Sequence, residues 1–116
     1  MTKTLRRVGD GRVICERCVA AETFWTRFRG LMLRASLPPD EGMVFRGAGS
    51  IHMFFMRFAI DAVFCDRELV VIDVARDLQP WRTASRRGAK VVIELASGAA
   101  AGLGPGDRLS LATIDA

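Results

Sequence analysis

The sequence predicts a mainly-β domain: a small β-sandwich or partly closed barrel with one N-terminal helix and one short late helix. Three observations predict it. Short runs rich in Val, Ile and Phe recur along the chain, at 43–45, 51–58, 60–65, 69–75, 90–96 and 109–114. Turn formers separate them, as in Gly9-Asp10-Gly11, Asp66-Arg67-Glu68 and Gly104-Pro105-Gly106-Asp107. Only residues 23–33 carry a good helical apolar period.

In chain order, residues 1–20 read as two short strands around the Asp-Gly turn signal. Residues 23–33 read as a helix, because Phe24, Phe28, Leu31 and Met32 follow the i, i+4, i+7, i+8 pattern. Thr23 suits its N-cap. Residues 36–49 are irregular apart from Met43-Val44-Phe45. The run from Ser50 to Asp66 is the most apolar stretch and holds the only histidine. It reads as a central strand covered on both faces, with His52, Phe54, Met56 and Phe58 on one side. Residues 60–75 then form a hairpin, and 76–89 a long basic loop. Another strand spans 90–96, a short alanine-rich helix runs from Ser97 to Gly102, and a last strand runs from Leu109 to Ile114.

At 116 residues the chain is expected to be one domain, residues 1–116. No apolar run reaches the roughly 18 residues of a membrane span, and Met1 to Cys18 contains no apolar core of a signal peptide. A cytoplasmic location without a membrane partner is the expectation. Three cysteines make an odd count, which argues against a disulfide framework. The net charge of +4 comes almost wholly from arginine. Charge of that size governs solubility and weak attraction to polyanions.

Several landmarks stand in a recognisable order: Arg29-Gly30-Leu31-Met32 with Arg34, Gly42-Met43-Val44-Phe45, and His52 to Met56. Ile60-Asp61 to Phe64-Cys65-Asp66, Glu94-Leu95-Ala96-Ser97-Gly98 and Gly106-Asp107 follow. In this combination the chain resembles the domain of unknown function 192 family over nearly its whole length. The resemblance implies a small mainly-β, jelly-roll-like domain and no established activity, so it assigns no catalytic residue. Ala59-Ile60 departs from the family's usual Ile-Pro before the acid, and Asp66-Arg67-Glu68 from its glycine-bearing turn.

The residues that carry chemistry are few. Asp61 and Glu94 each sit between apolar neighbours and are expected to be buried beside arginines, with Arg29, Arg34 and Arg57 as candidates. An enzyme of unidentified type would use Asp61 or Glu94 as a general base with His52. A zinc site from Cys15, Cys18, His52 and Cys65 has the right ligand types. However, Cys15 and Cys18 lie three apart, on opposite faces of a regular strand, so no metal is expected. His52, Met53 and Met56 are soft ligands, but methionine among phenylalanines fills cores. No cofactor motif is present. The leading reading is non-covalent binding of a small anionic ligand or peptide terminus by His52, Met56, Arg57, Asp61 and Glu94, with His52 bordering a cavity that Met56 or Asp61 shares. A further reading places nucleic acid or a protein partner on Arg76, Trp81, Arg82, Arg86 and Arg87. No sequence-specific nucleic-acid recognition is expected.

Overall fold

The computed structural model describes residues 2–21 and 35–113. Nine strands run in chain order: β1 (Thr2–Arg7), β2 (Val13–Ala20), β3 (Glu41–Arg46), β4 (Ser50–His52), β5 (Ile60–Cys65), β6 (Val71–Leu78), β7 (Thr83–Ser85), β8 (Val91–Ala96) and β9 (Leu109–Thr113). Seven of them form one sheet in the order β6-β5-β8-β3-β2-β1-β9; β4 and β7 form a separate two-stranded ribbon. Only β2 and β3 pair in parallel within the large sheet. The sheet stays open. Its two edge regions meet through a single bridge between Val70 and Arg108.

β5 and β8 are buried at every position, which requires cover on both faces. On one face Val63, Cys65, Val71, Ile93 and Leu95 pack with Leu5, Ile14, Val44 and Leu103. On the other, Ala62, Phe64 and Val92 lie beneath Ile51 and Ala84 of the β4–β7 ribbon. At the Ile60 end that second layer is completed by Leu37, Met53, Met56 and Ala96. Gly42 on β3 permits the close approach of β8 and of Cys18 on β2 to the β3 backbone. A Cβ there would stand 2.9 Å from the Glu94 carbonyl oxygen and 2.8 Å from the Leu95 side chain, distances no side chain tolerates.

Several expectations need correction. Residues 97–102 form consecutive turns, not a helix. Amides of Ala99, Ala101 and Leu103 bond three residues back, to Ala96, Gly98 and Ala100. Gly98 and Gly102 have φ of +91° and +86°, and left-handed residues cannot propagate an α-helix. The helix predicted at 23–33 lies outside the described residues. The stretch 51–58 is not one strand: β4 ends at His52, and Phe55 turns the chain with φ of +64°. The loop expected at 76–89 contains strand pairing at both 76–78 and 83–85. β6 runs on to Leu78, and β7 pairs Ser85, Ala84 and Thr83 with Ser50, Ile51 and His52.

Strand parity also fails at the cysteines. Lys3 pairs with Cys18 but Leu5 with Cys15, so β2 carries one more residue than β1 between these pairs. Such a bulge reverses the side-chain alternation, and both thiols enter the same core. Cys15, Cys18 and Cys65 are free thiols and at most 1% exposed. Its hydrogen bond with Cys15, together with burial, pushes the Cys18 thiol up; burial pushes Cys65 up to about 12. Among the described residues no three metal-ligating side chains cluster. All three thiols are expected to resist a charged disulfide reagent in the native protein. Their reaction should be on the order of a thousandfold slower than in urea-unfolded chain, because attack waits for opening. One fast-reacting thiol before unfolding would contradict the burial of that strand.

Candidate functional site

Asp61 starts from an unusual place in the sheet. Ile60 pairs with Leu78 but Ala62 with Ala75, so β6 bulges by one residue opposite Asp61. Asp77 takes φ of +51° in that bulge, a conformation aspartate accepts more readily than most residues. The bulge aims the Asp77 amide at Asp61 Oδ1, 2.9 Å away. Oδ2 accepts the amides of Gly98 and Ala100, both at 3.0 Å. Asp61 is 1% exposed. Of the expected arginine partners, Arg57 is exposed and forms no ion pair among the described residues, and Arg29 and Arg34 lie outside them; three backbone amides bind the carboxylate. Ser97 Oγ donates to Asp77 Oδ1 at 2.7 Å, and Arg76 donates to the carbonyl oxygens of Ala100 and Leu103. Arg76 and Asp61 therefore clasp the 97–103 turns onto the sheet.

Glu94 belongs to the opposite face. Asp61 pairs with Leu95, and Ala62 with Glu94. Partners share a face and neighbours alternate, so the two carboxyls are separated by the sheet itself. Glu94 is 5% exposed. Among the described residues its Oε2 has no hydrogen-bond partner, and burial pushes its pKa up to about 8. His52 is exposed on β4, whose inward residue is Ile51. Met56 is buried in the second layer, while Arg57 is exposed. Asp61 and Glu94 thus do not meet, and His52 is exposed on the ribbon rather than buried with either carboxyl. Of the residues expected around one cavity, His52 is exposed, Met56 is buried in the second layer and Asp61 is buried on the other face of the sheet.

What the structure does bring together is His52 and Trp81, which the sequence reading had placed in different sets. Trp81 packs against Phe55 with centroids 5.1 Å apart and against Phe54 at 6.0 Å; Phe54 in turn meets His52 at 5.0 Å. Phe54, Phe55 and Trp81 are 41%, 58% and 60% exposed. Four rings therefore form one continuous exposed ledge. Met53 anchors it from below. It is fully buried; its amide donates to Arg82 O at 2.7 Å, and its carbonyl accepts from Trp81 N at 2.8 Å and Met56 N at 3.2 Å. Phe55 and Trp81 both have positive φ, +64° and +69°, where glycine would sit without strain. Arg57, two residues after Phe55, and Arg82, next to Trp81, are exposed. Neither forms an ion pair among the described residues.

The rest of the basic set is divided. Arg86 is held by Asp73 at 2.6 Å and lies 5.1 Å above the Phe64 ring; Arg76 is committed to the clasp. Arg87 is exposed. Phe54 and Phe55 are the ledge residues that sequence reasoning missed. Alternation assigned them to opposite faces of a strand, and no glycine or asparagine announces the turn.

The architecture is that of a small open-sheet β-domain with an exposed aromatic surface and, among the described residues, Asp61 and Glu94 on opposite faces of the sheet. The chain belongs to the domain of unknown function 192 family: the model described as "Uncharacterized ACR" matches residues 6–111. A UPF0127 protein of Thermococcus sibiricus is 41% identical over 101 residues, 81% of this chain and 60% of that protein. One of Pyrococcus abyssi is 40% identical over 81 residues, 64% and 66% of the two chains. The chain thus spans under two-thirds of the length of these relatives. A solved structure from Sinorhizobium meliloti 1021, provisionally titled a transcription regulator, superposes with a TM-score of 0.83 at 25% identity, over 96% of this chain and 94% of that one. A protein of unknown function from Novosphingobium aromaticivorans gives 0.79 at 25% identity, over 95% and 84%.

Proposed function

We propose that this domain binds, without covalent chemistry, a small anionic ligand that carries a flat ring, as a nucleotide does. The observation that carries the reading is the ledge of His52, Phe54, Phe55 and Trp81, with the exposed Arg57 and Arg82 close to it in sequence and neither ion-paired among the described residues. Exposed rings add little to a fold, and two of these are held at backbone angles that favour glycine. Ring faces accept flat groups by stacking, and arginines beside them accept phosphate or carboxylate oxygens. A peptide carboxylate would meet the same two cations, but the row of rings favours a ligand with its own ring beside the charge. The provisional title of the Sinorhizobium neighbour supports including short single-stranded oligonucleotides among the probes.

The test is calorimetric titration with adenosine monophosphate and with oligothymidylate, on wild type and on Phe55→Gly and Trp81→Gly. Each lost stacking partner is expected to weaken binding about tenfold, corresponding to roughly 1–3 kcal/mol per stacked base. Thermal stability should hardly change, since glycine relieves the left-handed strain as the exposed ring is lost. Binding that survives both substitutions, or no binding of either probe, would overturn the reading.

A further inference from the structure

We infer a second site, for a small dianion of the phosphate class, at the end of the sheet remote from the ledge. Arg46, Gly47, Arg67, Lys90 and Val91 line a cavity of about 370 Å³ there. The topology explains why they meet. Arg46 at the end of β3 pairs with Val91 at the start of β8, and Val91 pairs with Cys65 at the end of β5. The three strand ends form one row, and the residues just beyond them bring Lys90 and Arg67 alongside Arg46. The backbone there is fixed: Lys90 O accepts the amides of Gly47 at 2.7 Å and Ala48 at 3.1 Å, and Lys90 N donates to Cys65 O at 2.8 Å.

Among the described residues no acidic side chain lines this notch. None of the three cations forms an ion pair among the described residues. Two carboxylates adjoin Arg67 in sequence: Asp66 is turned into its own loop, where Oδ1 accepts the amides of Glu68 at 2.9 Å and Val70 at 3.0 Å, and Glu68 is exposed and not among the described lining residues. Three like charges gathered on neighbouring strand ends repel one another. A dianion seated among them removes that repulsion and gains charge-assisted hydrogen bonds. The contrast with the cavity of about 400 Å³ near Arg7, Asp10 and Asp107 is direct. There Arg7 already holds Asp10 at 2.7 Å and Asp107 at 3.7 Å, so the charge is spent internally.

The experiment is an amide NMR titration with inorganic phosphate and, separately, with O-phosphoserine, at constant ionic strength held by chloride. Saturable shifts confined to Gly47, Arg67, Lys90 and Val91 are expected. Arg67→Ala and Lys90→Ala, both at exposed side chains, should each weaken binding about tenfold. Trp81→Gly should leave the titration unchanged, which separates this site from the ledge. Tighter binding of phosphoserine identifies a phosphomonoester as the ligand class; equal binding identifies free phosphate, and either outcome supports the site. Shifts that grow linearly and are reproduced by chloride alone, or an affinity unchanged by both substitutions, would overturn it.

Discussion

Replacing Asp61 with alanine is expected to destabilise the domain by about 3–5 kcal/mol, the cost of leaving buried amide donors without an acceptor. The three amides belong to Asp77, Gly98 and Ala100. They come from two segments, the β6 bulge and the turns after β8, which Ser97 and Arg76 also tie together but whose three amides converge on Asp61 alone among the described groups. Asp61→Asn separates shape from charge. An asparagine oxygen placed at Oδ2 keeps the Gly98 and Ala100 bonds, but its NH₂ group then faces the Asp77 N–H. One bond is lost rather than three, so the cost should fall to about 1–3 kcal/mol. Urea unfolding of the two variants checks the order, and amide exchange at Gly98 and Ala100 checks the mechanism. A loss below about 1 kcal/mol in the alanine variant would show that Asp61 holds nothing.

How much of this was legible in the sequence depends on whether the signal was local. The buried strand Val91–Ala96 could be read from its apolar run, and Asp61 and Glu94 could be read as buried acids from their neighbours. The partners of Asp61 were not legible, because backbone amides carry no side-chain signature and the bulge at Asp77 depends on pairing register. The same cause misled the reading of Cys15 and Cys18, where one extra residue in β2 turned two predicted faces into one. The aromatic ledge was hidden for a different reason. Phe54 to Phe58 continues a strand-like alternation, and only the left-handed Phe55 breaks it. Its counterpart Trp81 lay in what read as a basic loop, since a three-residue strand such as Thr83–Ser85 has no apolar run to announce it. The basic notch joins residues from three strand ends, none of which is distinctive alone.

Glu94 should make the protein less stable as pH rises from about 4.5 to 8. Burial raises its pKa in the folded protein from the ordinary 4.5 to about 8. Through that window the native state keeps a proton that the unfolded chain has released, so unfolding becomes easier with each step upward in pH. Below the window both states are protonated and the group is neutral in effect. Above it the full cost is present, about 5 kcal/mol from the shift, with about 3 kcal/mol of it reached at neutral pH. The paired acids act elsewhere: Arg7 holds the Asp10 carboxyl down to about 2, so its contribution is lost only as pH falls below its ordinary 3.8. A Glu94→Gln variant carries no charge at any pH. Its amide still meets the site where Oε2 finds no partner among the described residues, so at pH 5 it should be no more stable than wild type. By pH 9 it should be the more stable of the two, and its own profile should be flat between. Urea midpoints measured from pH 5 to 9 at constant ionic strength decide this. A wild-type curve that is level or rises across the window would mean that Glu94 is ionised and partnered in the folded protein.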